Sequence, residues 1–380
     1  MSDAIGPFTL SVPQAELDAL KGRLARTRWP EQETVTDWSQ GAPLQKVRTL
    51  CEYWRDRYDW RRCEAALNGL GQYRTTIDGL GIHFLHIRSP EPDALPLLMT
   101  HGWPGSVIEF MKVIGPLSDP AAHGGDRRDA FHLILPSLPG YGFSDKPSEP
   151  GWGVGRIARA WLTLMERLDY DRFVVQGGDW GAIVAKAMAQ LQPPQCLAMH
   201  LNLPMVIPTD EERQDPTPAE QAILDHMQYF VDQDTGYLKQ QGTRPQTLGY
   251  ALADSPVGQA AWIYEKLQGW SDHQGDVEEL LGMDAILDNI MLYWLPNAGA
   301  SSARLYWESI GDAFSPSPLE MPMGISIFPR EAYRASRRWG ERIFRNLIYW
   351  NEVERGGHYA AFEQPQIFTE EIRACFRGLR

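Results

Sequence analysis

The sequence predicts an α/β fold: an eight-stranded, mostly parallel sheet with helices on both faces, preceded by a helical segment and interrupted late by a helical insertion. Three observations predict it. Short apolar runs alternate with helical stretches from 72 to 204, the pattern of strand–helix–strand units. The runs at 95–99 and 173–175 are nearly all apolar, as expected of strands covered on both faces. The alternation gives way to helical texture alone over 205–312 and resumes at 323.

In chain order, residues 1–70 read as a wrapping segment of helices and irregular structure. A helix opens near Leu10–Leu17, with Ser11 as candidate N-cap, Pro13 in the first turn and Glu16 close behind. The aromatics that follow (Trp29, Trp38, Trp54, Tyr58, Trp60) are read as packing groups. Strands are expected at 72–77, 82–88, 95–100, 131–135, 173–176 and near 197–203. Asp78-Gly79 between the first two is a hairpin turn. Helices are expected at 155–168 and 181–191. In the insertion, Asp254-Ser255-Pro256-Val257 supplies a polar cap and then a proline, starting a helix that runs through Trp262 and Leu267. Strands at 323–328 and 346–353 and a helix at 364–379 close the chain. The expected division is 1–70 for the wrapping segment, 71–204 and 313–380 for the two parts of the core, and 205–312 for a lid.

The composition, 43% hydrophobic and 22% charged, is that of a globular chain with a sizeable core. A net charge of −13 excludes nucleic acid as a partner, because no basic stripe is available to neutralise phosphates. Cys51, Cys63, Cys196 and Cys375 lie far apart without metal-ligand spacing and read as buried free thiols of a reducing compartment. The start Met1–Pro7 lacks the basic and apolar regions of a signal peptide. No run reaches the roughly 18 apolar residues of a membrane span. The expectation is a cytoplasmic protein without a membrane partner.

The strongest local signal is Val174-Val175-Gln176-Gly177-Gly178-Asp179-Trp180-Gly181. A strand running through Gly-x-Nu-x-Gly into a helix is the nucleophile elbow of the α/β-hydrolase fold, whose sharp turn admits only small residues two places either side of the reacting group. Alone, the motif reads equally as a helix N-cap after a strand. As a nucleophile, aspartate narrows the chemistry. A serine attacking saturated carbon would form an ether that water cannot readily release; a carboxylate forms an ester that activated water can cleave. Asp179 therefore points to displacement at saturated carbon, in an epoxide or an alkyl halide. His101-Gly102-Trp103-Pro104-Gly105-Ser106 follows the 95–100 strand, where this fold places half of its oxyanion hole. The amides of Trp103 and Trp180 are the two donors expected.

Nucleophile, acid and histidine should follow in that order along the chain. Gly356-Gly357-His358-Tyr359 comes after the last strand and places His358 correctly; His83 and His86, three apart on one strand, face opposite ways and form no metal site. Two carboxylates compete to orient His358. Glu331, in Pro329-Arg330-Glu331 after the 323–328 strand, is favoured; Asp210, after the 197–203 strand, is the alternative.

With these motifs in place the chain resembles the microsomal-type epoxide hydrolases over nearly its whole length. Phe8-Thr9-Leu10, Leu20 and Arg26 through Trp29-Pro30 resemble the family's N-terminal meander. The His101–Ser106, Gly177–Gly181 and Gly357-His358 blocks resemble its catalytic motifs. Thr243-Arg244-Pro245, Asp254–Gly258 and Ala261–Lys266 resemble its lid. The resemblance implies two lid tyrosines that polarise an epoxide oxygen, which by position are Tyr237 and Tyr306 of the fourteen present. Phenols with pKa ~10 are suited to hydrogen-bond a developing alkoxide. Two departures stand out: the membrane anchor usual before the meander in microsomal relatives has no counterpart here, and Ala332–Ser336 lacks a proline that relatives often carry.

The resemblance thus implies hydrolysis of an epoxide to a vicinal diol with only epoxide and water as partners and no cofactor or metal. Detoxification and natural-product biosynthesis both occur in the family, and the aromatic lid hints at a bulky or aromatic epoxide. A homo-oligomer is compatible with the sequence. The rival readings are a haloalkane dehalogenase, marked by chloride release, and a non-catalytic ligand-binding protein of the same fold, marked by binding without turnover.

Overall fold

The computed structural model describes residues 4–380; Met1–Asp3, on which the signal-peptide reading partly rests, lie outside the described residues. Among the described residues one sheet of nine strands forms: β1 (Gly6–Pro7), β2 (Gln72–Ile77), β3 (Leu80–Ile87), β4 (Leu95–Thr100), β5 (Phe131–Pro136), β6 (Phe173–Gly177), β7 (Cys196–Leu201), β8 (Leu319–Ile327) and β9 (Phe344–Glu352). Their order is β1-β2-β3-β5-β4-β6-β7-β8-β9. The pairs from β1 to β5 along that order are antiparallel, and every later pair is parallel.

The β2–β3 hairpin closes over Asp78 and Gly79, with φ of 51° and 80° and Ile77 opposite Leu80. Two successive positive φ values in a two-residue loop match the right-handed twist of the strands. β6 is buried along its whole length, which explains the apolar run Phe173-Val174-Val175. Helix Val154–Arg167 packs on helix Trp180–Leu191, and helix Met111–Ser118 packs on helix Pro365–Phe376, so that the sheet is covered on both faces.

Three readings need correction. The ninth strand is a two-residue edge, Gly6–Pro7, paired with Tyr73 and Arg74; it is too short to leave a periodic signal, and proline is tolerated on an edge. β8 begins at Leu319, ahead of the expected 323, because Pro322 sits at a register shift against β9, where the lost N–H does no harm. Ser11 caps nothing: the first helix is Gln14–Ala25, with Pro13 at the N-cap position and no side-chain cap. Proline holds the residue before it extended, which keeps Ser11 outside the turn.

Helices Gln14–Ala25, Leu44–Asp56 and Trp60–Asn68 precede the sheet. Trp54, Tyr58 and Trp60 are buried, while Trp29 and Trp38 pack half-buried against the core. Between β7 and β8 the chain forms helices from Asp210–Gln214 to Gly299–Ala313. The Tyr58 hydroxyl donates to Asp288 at 2.6 Å, and Arg62 pairs with the same carboxylate at 2.8 Å. The next residue, Asn289, faces the other way: its Nδ2 donates to the Pro104 carbonyl at 2.7 Å, and its Oδ1 accepts from Ser106 at 2.7 Å. One turn on, the Tyr293 hydroxyl donates to the Gly105 carbonyl at 2.6 Å. Helix Met283–Trp294 thus joins the N-terminal helices to the loop after β4. All four cysteines are free and buried. Among the described residues no helix is long and apolar enough to cross a membrane.

Candidate active site

Asp179 sits between β6 and helix Trp180–Leu191 with φ 47° and ψ −129°, a conformation that L-residues rarely adopt and that surrounding structure must enforce. The sequence enforces it with two glycines. A Cβ on Gly177 would lie 2.2 Å from the Gly181 carbonyl oxygen, and one on Gly181 would lie 1.9 Å from that of Thr100. Although Asp179 occupies the N-cap position, its side chain makes no cap bond. Its Oδ1 instead accepts the Trp103 N–H at 2.7 Å, and its Oδ2 lies 3.3 Å from His358 Nε2. Trp180 opens the helix, so its N–H is one of those a helix leaves without an intrahelical acceptor.

His358 follows β9 in a loop shaped by one buried carboxylate. Glu363 accepts the N–H groups of Asp272, Gly357 and Tyr359 at 2.7, 2.9 and 2.9 Å, and burial pushes its carboxyl up to about 7. The His358 N–H donates to the Trp270 carbonyl at 2.9 Å, and the Trp270 ring packs edge-on to the imidazole at 5.0 Å. Glu331 Oε1 lies 2.7 Å from His358 Nδ1 and also accepts the Ala332 N–H at 2.7 Å. Asp210 begins an exposed helix capped by Thr209. Of the two carboxylates considered, the fold thus brings Glu331 to the imidazole. Burial works against a charge on His358, yet Glu331 and Asp179 together outweigh it and hold the imidazole well above its ordinary range.

Tyr237, on helix Gly236–Thr243, and Tyr306, on helix Gly299–Ala313, are both buried. Tyr237 stacks on Trp103 at 5.1 Å, and Tyr306 meets Trp180 edge-on at 4.8 Å. Each phenol therefore rests against the residue whose amide flanks Asp179. Burial first, and then neighbouring charge, keeps both hydroxyls protonated far above the usual phenol range. Both line a cavity of about 50 Å3 with Asp179 and His358, walled by Phe230, Leu238, Ile310 and Phe314.

Sequence reading passed over several residues here. Asp234 accepts the Trp270 indole N–H at 2.6 Å and pairs with the buried Lys266 ammonium, which lies 4.9 Å from the Tyr237 ring. No local pattern marks these groups. Glu109 carried a readable signal, since Ser106-x-x-Glu109 is a capping-box pattern. Among the described residues no group of three or more His, Cys, Asp or Glu side chains is placed to hold a metal ion.

The sheet order, the aspartate elbow and the histidine after the last strand define an α/β hydrolase. Residues 96–246 match the alpha/beta hydrolase fold family, and residues 5–110 match the epoxide hydrolase N terminus family. The chain belongs to the epoxide hydrolases and is an enzyme of that class. It is 60% identical over 376 residues to a family member from Stigmatella aurantiaca (strain DW4/3-1), covering 99% of this chain and 86% of that one. It is 34% identical to epoxide hydrolase 1 of Sus scrofa, covering 99% and 89%. The juvenile hormone epoxide hydrolase of the silkworm Bombyx mori superposes with a TM-score of 0.92 at 29% identity, covering 100% of this chain and 96% of that one. The Aspergillus niger epoxide hydrolase superposes with a TM-score of 0.87 at 30% identity, covering 100% and 97%.

Proposed function

We propose that this enzyme opens an uncharged, largely apolar epoxide to a vicinal diol through a covalent ester on Asp179. One observation carries the reading: the Asp179 carboxylate, between the Trp103 amide and His358 Nε2, faces a cavity that also holds two protonated phenols. Asp179 attacks an epoxide carbon, the C–O bond breaks, and Tyr237 and Tyr306 hydrogen-bond the emerging alkoxide, which takes a proton from one phenol as that phenol recovers it from the His358 imidazolium. Forming the ester removes the negative charge from Asp179, one of the two groups that hold His358 protonated. The imidazole thereby becomes a competent base. Oriented by Glu331, it takes a proton from water as the water oxygen attacks the Asp179 carboxyl carbon. The tetrahedral oxyanion rests on the Trp103 and Trp180 amides. Collapse releases the diol and restores the carboxylate. The apolar cavity walls support a lipophilic epoxide, whether from detoxification or from natural-product assembly. The division of the chain into meander, core and lid at 70, 204 and 312 belongs to the same proposal.

The test is to replace His358 with Gln and expose the protein to styrene oxide. The intact mass should rise by that of the whole epoxide, with the addition on Asp179. In heavy-oxygen water, one turnover of the unaltered enzyme should label Asp179. An unmodified Asp179 in the variant, with label appearing only in the diol, would overturn the scheme. Chloride release from a 1-haloalkane matching epoxide turnover would favour a dehalogenase.

A further inference from the structure

Asp179 and His358 line two cavities. The first contains the two phenols; the second lies toward the loop after β4, and among the described residues these are the only two common to both linings. The second, of about 20 Å3, has room for one or two waters. Its polar walls include Glu109, Gln176 and Tyr359. Gln176 Oε1 and the Tyr359 hydroxyl are buried there with no partner among the described residues. Buried polar atoms of this kind are satisfied by ordered water. Glu109 is folded back over the loop, its Oε1 only 1.3 Å from where a Cβ on Gly105 would stand. Burial pushes its carboxyl up to about 8, with His358 opposing and Asp179 and Glu363 adding to the effect. Around neutrality it is therefore a neutral acid, and no third negative charge is placed near the imidazole between Asp179 and Glu331.

We propose, resting on the ester mechanism above, that Glu109 is a positioning residue for the hydrolytic water. Its carboxyl accepts one O–H of a water in the second cavity while the other O–H points to His358 Nε2. A lone pair of the water oxygen then faces the Asp179 carboxyl carbon. The epoxide would enter from one side of the Asp179–His358 partition and the water from the other. No additional reactant is needed: one water proton goes to His358, its oxygen bonds to the carboxyl carbon, and the second O–H stays intact until the tetrahedral species collapses.

Glu109 also lies in the short helix that Ser106 caps, so a purely structural role must be told apart. The two covalent steps do this. Ester formation and decay on Asp179 are followed by rapid quench and intact mass in single turnovers of styrene oxide. In Glu109→Leu, decay should slow at least about tenfold, the effect of ~1.4 kcal/mol in the barrier, with formation changed less than about threefold. Glu109→Gln, neutral and of the same shape, should restore decay to within about threefold of the parent. Unchanged decay in Glu109→Leu, or equal slowing of both steps, overturns the proposal. Should Glu109→Leu not fold, Glu109→Asp, which withdraws the carboxyl by one methylene, is held to the same criteria. If no ester appears on Asp179 in any variant or in the parent, the ester mechanism has failed and not the role given to Glu109.

Discussion

Replacing Gly181 with Ala tests whether the elbow works by steric necessity. The added Cβ would lie 1.9 Å from the Thr100 carbonyl oxygen, against about 3.4 Å for ordinary contact, so 3.4 − 1.9 = 1.5 Å must be found. Thr100 cannot swing aside, because it is backbone at the end of β4, in register with Gly177 of β6. The relief must come from helix Trp180–Leu191, which carries Asp179 with it. Overpacking a rigid site costs about 1–3 kcal/mol, and this clash belongs at or above the upper end. Displacing the carboxylate by ~1 Å from its Trp103 and His358 contacts should slow ester formation about 10²-fold. Gly178→Ala is the control. The atoms nearest its Cβ belong to the Asn202 side chain, from 2.7 Å, a side chain rather than backbone, whose displacement would cost a 2.9 Å bond from Gln176, about 1 kcal/mol. Ester formation by rapid quench and melting by circular dichroism should rank the two variants in that order. A Gly181→Ala protein forming ester at the parental rate, or a Gly178→Ala protein the more damaged, would refute the reasoning.

Tyr237→Phe and Tyr306→Phe should each slow ester formation roughly 10²-fold while leaving ester decay unchanged, because the proposed scheme gives the phenols a role on the epoxide oxygen alone; unaltered formation in both would remove them from the mechanism. Asp234→Ala strips the Trp270 indole of its acceptor and leaves the buried Lys266 with Glu265 alone, at 2.9 Å. It should cost about 2–3 kcal/mol, less than the ~3–5 of a wholly stranded charge, and an unchanged denaturation midpoint would contradict this. Folding raises the His358 imidazole above its ordinary pKa of about 6.5. Its contribution to stability is therefore full below about pH 6.5 and is lost as pH rises through the raised value. The melting difference between the parent and His358→Gln should be largest near pH ~5–6 and shrink on the alkaline side; a pH-independent difference would count against the charged pair.

The sheet and the elbow were legible because their causes are local. Gly177 and Gly181 flank Asp179 at fixed spacing, and the contacts that forbid a Cβ there follow from any strand turning this sharply into a helix. The runs at β4 and β6 are apolar because both faces are covered. The place of His358 after the last strand was legible, and there it meets Asp179 and Glu331. What escaped depends on distant partners. Trp270 receives the His358 N–H, and Asp234 receives the Trp270 indole, across gaps of chain that no periodicity spans. Tyr237 and Tyr306 came from family resemblance, since a phenol aimed at a cavity leaves the same trace in sequence as one packed in a core. Glu109 bore a capping signature that pointed to a helix start and gave no hint of the chamber behind Asp179.

Consecutive side chains on helix Met283–Trp294 hold two separate segments of the chain, Asp288 gripping Tyr58 and Arg62 while Asn289 grips Pro104 and Ser106. The amide that Trp103 offers to Asp179 is thereby braced by residues more than forty positions upstream, outside the sheet altogether. The opening stretch of the chain is accordingly structural support for the elbow, so damage at Tyr58 would reach the Asp179 carboxylate through two side-chain links.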